Sequence, residues 1–295
     1  MRFLSIFVLL ALVVMVPNPA LAWSQNGHEI VCDLAFRQLT PAARNLLFKV
    51  HDKKGPFYKS CHWADEVRYD NFKGTYNYHF LNVADGEDEL DFARDCAALD
   101  CVTIAIQRYA TILAREPQSS RDEENRGDAL RFLAHFVADL HQPLHVSHRK
   151  DRGGNDITVT WLDTSNKRNL HGIWDTTILS ESGARSVALA MPLLTRIQNM
   201  DVSMWRTFDI VGWTAETYQL AEMVAYTHEN GTRVITGDNL PLPYFERARP
   251  IVEQQIMKAS VRLAYLINQI AAGNLPRNML VLNSPGNIDG RIRVE

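Results

Sequence analysis

No stretch of this chain is rich in proline or in serine with glycine, no segment repeats, and none is of low complexity. Without such a linker the chain is expected to fold as a single domain. Positive charge is not in excess: the formal net charge is −3. That excludes a broad basic surface gripping nucleic acid non-specifically, so any attraction for phosphate must be local. Long apolar runs are scarce too. One opens the chain, Phe3 to Val16, behind Met1 and Arg2 and ahead of Pro17-Asn18-Pro19 and Ala20-Leu21-Ala22, and nothing comparable follows. It falls short of the ~20 residues that a bilayer-crossing helix needs. A basic start, a short apolar stretch and an A-x-A end read as a secretory signal peptide, residues 1–22, cleaved after Ala22. The mature protein is then secreted or periplasmic, without a membrane anchor or an obligate protein partner. Removing the leader leaves 273 of the 295 residues and, with Arg2 gone, a charge of −4. That length is near the upper limit for one core.

Cysteine is sparse: only Cys32, Cys61, Cys96 and Cys101, all beyond the leader. An even count in an exported chain favours disulfides over free thiols or a thiolate metal site. Three pairings are possible. The close spacing of Cys96 and Cys101 makes that pair the easiest to close, which leaves Cys32 with Cys61.

What is abundant is helical periodicity. Apolar residues recur at helical spacing in Ile30, Val31, Leu34 and Ala35, and Thr40-Pro41 reads as the cap and first residue of a second helix reaching about Val50. The same test predicts helices over 62–70, 88–114, 125–142, 171–181, 186–198, 213–228 and 243–272. The exception is Gly153-Gly154-Asn155 followed by Ile157-Thr158-Val159-Thr160-Trp161, an alternating β-branched and aromatic run that predicts half of a small β-hairpin. The class is mainly α.

In the segment from Leu130 to His145, apolar residues occupy nearly every side of the predicted helix, which marks it as buried. Burying His135 and Asp139 is costly unless each is paired or holds a metal, and their spacing puts them on one face. Pro143 ends the helix, so His145 follows a turn and can face back into the same cavity. His141 points elsewhere. The alternative for this segment alone is a buried His–Asp hydrogen bond with the other histidines exposed. A second pair at the same spacing, His171 and Asp175, in a chain of ten histidines, fits the nitrogen and oxygen ligands that zinc accepts. Trp63-Ala64-Asp65-Glu66-Val67-Arg68, Tyr78-His79-Phe80-Leu81-Asn82 and Trp23-Ser24-Gln25-Asn26-Gly27-His28 are weaker signals, each of which could be structural on its own.

Taken in order, these segments resemble the fungal and plant single-strand-specific zinc nucleases, the family typified by nucleases S-one and P-one, with the zinc phospholipases C as distant relatives. The marks are a mature chain starting at tryptophan, histidine five residues later, W-A-D, Y-x-H-F, H-F-x-x-D-x-H-Q-P-L-H, G-G-N and N-L-H-x-x-W-D. The resemblance implies that family's helical fold, three zinc ions, and hydrolysis of single-stranded DNA, RNA and 3′-nucleotides. It implies that Asp65, His79, His135 and Asp139 hold one zinc, and that Asp139 also reaches a second, held by His28 and by the amino nitrogen and carbonyl of Trp23. The third zinc falls to His145, His171 and Asp175. Zinc ions sharing Asp139 would hold a water between them and lower its pKa toward ~7. Asp65 and Arg68 are the implied catalytic residues, Arg68 clamping a phosphate oxygen with its planar donor fork. Phe80 would stack a base, Asn82 stands where the best-known fungal members carry aspartate, and Asn155 would line the substrate cleft.

Two other readings compete. A zinc phospholipase C would use the same metals on a lipid phosphodiester, but Asp175 stands where those enzymes carry glutamate. A secreted zinc-sequestering protein without turnover would have no use for Arg68 and Phe80.

Overall fold

The computed structural model describes residues 23–51, 55–163, 165–188 and 190–276, and the leader assigned to residues 1–22 lies outside them. The described chain is mainly helical with a few short strands, as the apolar periodicity requires. Helix α1, Gln25–Arg37, buries Ile30, Val31, Leu34 and Ala35. Helix α2, Pro41–Val50, begins as its sequence demands: Thr40 accepts a hydrogen bond from the Ala43 N–H, and Pro41 occupies a first-turn position that has no use for a donor. A 3-10 turn at Phe57–Ser60 precedes the short helix α3, Trp63–Val67. The expected helix over 62–70 ends early because the Phe72 N–H turns back to the Val67 carbonyl. That turn packs Phe72 edge-on against Trp63 and Phe132.

The single helix expected over 88–114 is two, α4, Phe92–Asp95, and α5, Val102–Ala114. Between them lies the Cys96–Cys101 disulfide, with Leu99 at a φ of 56°, a left-handed conformation that a helix cannot accommodate. The other disulfide joins Cys32 in α1 to Cys61 ahead of α3, so both bridges are the expected ones. Helix α6, Ser120–Leu140, starts before the expected residue 125. Its first turns are polar, so an apolar periodicity test is blind to them, yet Ser119 caps them by accepting from the Asp122 N–H. From Phe132 to Leu140 every residue of α6 is buried.

A 3-10 segment at Lys73–His79 leads into strand β1, Leu81–Val83, which pairs in parallel with β2, Val146–His148. Strands of three residues are too short for alternation to show in a sequence. The predicted hairpin is β3, Thr158–Trp161, antiparallel to β4, Lys167–Asn169, with β5, Asn239–Leu240, added in parallel to β3. The helical stretch expected over 171–181 is α7, Leu170–Gly172, a π-turn at Ile173–Thr177, and α8, Ile178–Glu181. Helix α9 spans Met191–Asn199, and α10, Ile210–Leu220, continues into a second π-turn at Ala221–Ala225. Helix α11, Leu242–Ala271, packs along α1, α2 and α6. No described helix is long and apolar enough to cross a membrane.

Candidate metal centre

Helix α6 presents His135 and Asp139 on one face, both without solvent exposure, with His135 Nε2 3.1 Å from Asp139 Oδ2. Helix α1 brings His28 against them: its ring stacks on His135 at 4.0 Å between centroids, and its Nε2 lies 3.0 Å from Asp139 Oδ1. The segment ahead of β1 adds His79, whose Nδ1 is 3.0 Å from Asp139 Oδ2 and 3.7 Å from Asp65 Oδ1, the latter supplied by α3. Trp23 folds back over the first turn of α1, where only glycine fits: a Cβ on Gly27 would lie 2.8 Å from that of Trp23. The fully buried indole donates to the Ala138 carbonyl at 2.9 Å, and the Trp23 carbonyl oxygen sits 2.5 Å from His28 Nδ1.

A second concentration of ligating atoms forms beyond the end of α6. Gln142 stabilises the proline turn by accepting from the Leu144 N–H at 2.6 Å, and its amide donates to Asp175 Oδ1 at 2.5 Å. The β1–β2 pairing then carries His145 alongside the start of β1, where its Nδ1–H donates to the His79 carbonyl at 2.7 Å. His171 Nε2 lies 3.3 Å from Asp175 Oδ2, and His145 Nε2 lies 3.9 Å from Asp175 Oδ1. Gly153, at a φ of +66°, turns its carbonyl toward His171 Nδ1 at 2.6 Å. A side chain there would meet the Leu144 carbonyl at 2.5 Å, so glycine is required twice over.

The protonation chemistry of these groups fits cation binding. In His135, His145 and His171 the Nδ1 hydrogen is spent on a backbone carbonyl, of Cys61, His79 and Gly153 respectively. A neutral imidazole so placed keeps a lone pair at Nε2, and each of these Nε2 atoms is aimed at carboxylate oxygens. Facing lone pairs repel unless a proton or a metal ion lies between them. At Asp139, burial alone would raise the carboxyl pKa, but His135 and the hydrogen bonds from His28 and His79 hold it well below the usual range. Burial likewise disfavours the His135 cation, and Asp139 and Asp65 together outweigh it and raise that pKa. Around Asp175 the balance is reversed. Burial, aided by the charge of Asp139, pushes its carboxyl well above the usual range. Burial and the neighbouring His145 draw His171 down to about 3, and burial draws His79 down to about 4. In both regions a metal ion would compete with protons for the same lone pairs. Three groups have ligand atoms within 4.8 Å of one another: His28, His135 and Asp139; Asp65, His79 and His135; His145, His171 and Asp175.

These clusters lie under a cavity of about 240 Å³. His79, His145 and His171 reach it from below, while Arg68, Phe80, Asn82 and Asn155 line it. Arg68 is buried, with Nη1 3.0 Å from Asp65 Oδ1. Phe80 and Asn82 are half-buried, and the Asn155 amide donates to the Arg152 carbonyl at 2.8 Å. Tyr69, Tyr76, Arg149 and Arg152 also line the cavity and were missed in the sequence. For the arginines a signal existed, the basic run His148-Arg149-Lys150 directly after the H-Q-P-L-H segment. Gln142, inside that segment, was overlooked as the partner of Asp175. His141 is buried but turned away from the clusters: its Nδ1–H donates to the Val137 carbonyl at 2.7 Å and its Nε2 accepts from Arg262 at 2.8 Å.

A family model described as S1/P1 Nuclease matches residues 23–272. The chain belongs to the S1/P1 nuclease family. Endonuclease 4 of Arabidopsis thaliana is 32% identical over 277 residues, covering 86% of this chain and 90% of that protein. Nuclease S1 of Aspergillus oryzae is 30% identical, covering 85% of this chain and 92% of that protein. Nuclease P1 of Penicillium citrinum is 28% identical, covering 86% and 100%. Membership of the S1/P1 nuclease family bears out the resemblance read from the motifs, and the matched span begins at Trp23 and takes in every residue of the three clusters.

Proposed function

We propose that this protein is an exported zinc-dependent endonuclease that hydrolyses single-stranded DNA and RNA, and the phosphomonoester of 3′-nucleotides, with residues 23–295 as one nuclease domain. The observation that carries the reading is the convergence of eight buried histidine and aspartate side chains beneath one cavity that is also lined by a half-buried phenylalanine. Buried carboxylates and imidazoles in this number are costly without cations, and the mixture of the two is a zinc donor set. Asp65, His79, His135 and Asp139 would hold one zinc. Trp23, His28 and Asp139 would hold a second, and His145, His171 and Asp175 a third.

Zinc held there supplies an activated water and neutralises charge on the departing oxygen. The remaining work falls to the chain. The Cys61 and Gly153 carbonyls fix the His135 and His171 tautomers, and Gln142 orients Asp175, so that the ligand lone pairs are aimed before substrate arrives. Arg68, held in place by Asp65, would turn its guanidinium to a non-bridging phosphate oxygen. Phe80 offers a ring face to an unpaired base, a contact worth roughly 1–3 kcal/mol that a duplex cannot make without unstacking. With the phosphate oriented in this way a water oxygen joins phosphorus as the P–O3′ bond breaks, leaving phosphate on the 5′ oxygen while a proton from the water completes the 3′ hydroxyl. Asn82 and Asn155 line the same cavity as binding residues.

The test is release of products from single-stranded DNA, RNA, duplex DNA and phosphatidylcholine, with and without chelator. Chelator-sensitive cleavage of the two single strands, with 5′-phosphate ends, is the expected result. Cleavage of the lipid in preference to both nucleic acids, or no turnover at all, would overturn the reading.

A further inference from the structure

One cation at the cavity has no part in the chemistry just described. Arg149 follows β2, and its backbone N–H donates to the Val83 carbonyl at 3.0 Å, which fastens it to the end of β1. The side chain is exposed, and among the described residues its guanidinium has no ion-pair partner. Its neighbours differ: Arg152 lies 3.5 Å from Asp156, and Arg68 lies 3.0 Å from Asp65.

Arg149 lines two cavities. One lies over the His/Asp clusters; the other is bounded by Asn77, Asp95, Asp100 and Cys101. Phe80 and Asn82 line both as well, so the two cavities adjoin at Phe80, Asn82 and Arg149. The carboxylates of the second cavity are already engaged, Asp95 by Arg94 at 2.8 Å and Asp100 by the Asn77 amide at 2.6 Å. Neither claims Arg149.

We infer that Arg149 binds the phosphate on the 5′ side of the nucleoside stacked on Phe80, and so makes the enzyme prefer a nucleotide that carries a 5′ phosphate over one with a free 5′ hydroxyl. The inference rests on the function proposed above. If the base of the nucleoside whose 3′ oxygen departs lies on Phe80, its 3′ side faces the clusters and its 5′ oxygen leads away from them, toward the side where the second cavity adjoins. The next phosphate of a polymer then enters the stretch where Arg149 is the free cation. A guanidinium presents paired donors in the geometry that phosphate oxygens accept. In a chain of net negative charge, such a local contact is the way to hold a polyanion.

The test uses the zinc-loaded mature protein and two substrates, a dithymidine monophosphate with a free 5′ hydroxyl and the same compound bearing a 5′ phosphate. The wild type should show roughly fivefold higher kcat/KM on the phosphorylated form, the size of one partly exposed charge-assisted contact. In Arg149→Gln the ratio should fall to about one, and Arg149→Lys, which keeps the charge, should retain most of it. On a longer oligonucleotide, Arg149→Gln should also flatten the salt dependence of log kcat/KM by about 0.7, the loss of one single-strand phosphate contact. A wild-type ratio that survives in Arg149→Gln, or that is lost equally in the Lys and Gln variants, would overturn the inference. Hydrolysis of both substrates by the wild type without preference would overturn it alone. Hydrolysis of neither would overturn the nuclease reading and the inference with it.

Discussion

Replacing Asp139 with asparagine removes one charge and leaves the shape intact, at the point where the account places the most weight. The carboxylate has no solvent exposure, and its two oxygens lie 3.0 Å from His28, 3.0 Å from His79 and 3.1 Å from His135. It is thus the one group shared by two of the proposed zinc sites. Losing an outer partner of a metal ligand already weakens binding by about 10–100-fold, so losing a shared anionic ligand should cost at least the upper figure at each site. With zinc about a thousandfold above its wild-type Kd, one site stabilises the fold by about 4.1 kcal/mol; at a hundredfold weaker affinity that falls to about 1.4 kcal/mol. Two sites together lose about 5 kcal/mol, or roughly 10–20 °C in Tm for a chain somewhat above the 150–250-residue range. Calorimetry of both proteins with excess zinc and again with chelator is the assay. The gap between them should be large with zinc and should shrink sharply with chelator, and hydrolysis by the variant should be lost. A zinc-dependent rise in Tm as large as the wild type's, or full activity, would refute the sharing of Asp139.

Three other outcomes follow from the same structure. Phe80→Ala should lower kcat/KM on oligonucleotides and 3′-nucleotides by roughly tenfold, the loss of about 1.4 kcal/mol of stacking, and should affect a base-free activated phosphodiester much less; equal losses on both would assign Phe80 to packing. A preparation with one extra residue before Trp23 should bind fewer zinc ions than the same protein trimmed to Trp23, because a peptide bond ties up the amino lone pair; equal zinc contents would remove Trp23 from the ligand set. His141 is held at about 3 by burial and by Arg262, below the ~6.5 of an unfolded chain. Its contribution to stability is therefore complete above pH ~6.5 and lost as pH falls toward the folded value, at up to ~1.4 kcal/mol per pH unit. Chelated His141→Gln should show a shallower fall in Tm between pH 6.5 and 4.5 than the chelated wild type, while its zinc-loaded form keeps its metal; an unchanged slope would contradict the burial argument.

Legibility in the sequence followed the strength of the local constraint. The spacing of His135 and Asp139 on a helix buried on every side anticipated two side chains meeting inside the protein, because helical geometry leaves them no other arrangement. Thr40-Pro41 gave the start of α2 for a similar reason: capping chemistry is local. The split of the 88–114 region was hidden, since the apolar periodicity runs on into α5 while the disulfide and the left-handed Leu99 break the backbone between. The β1–β2 pairing was equally hidden, being set by contacts between residues far apart in the chain, and with it the placement of His145 beside the His79 carbonyl. Gln142 was overlooked because its bond to Asp175 depends on a neighbour that only the fold brings near.

The central claim is that these eight side chains and Trp23 hold three zinc ions beneath one cavity. Diffraction from crystals of the mature chain, collected just above and just below the zinc absorption edge, tests it most directly. The account predicts three anomalous peaks that vanish below the edge, each at about 2.0–2.2 Å from the nitrogen and oxygen ligands assigned to it, with one of them also touching the Trp23 amine. A single peak, or peaks away from Asp139 and Asp175, would contradict it.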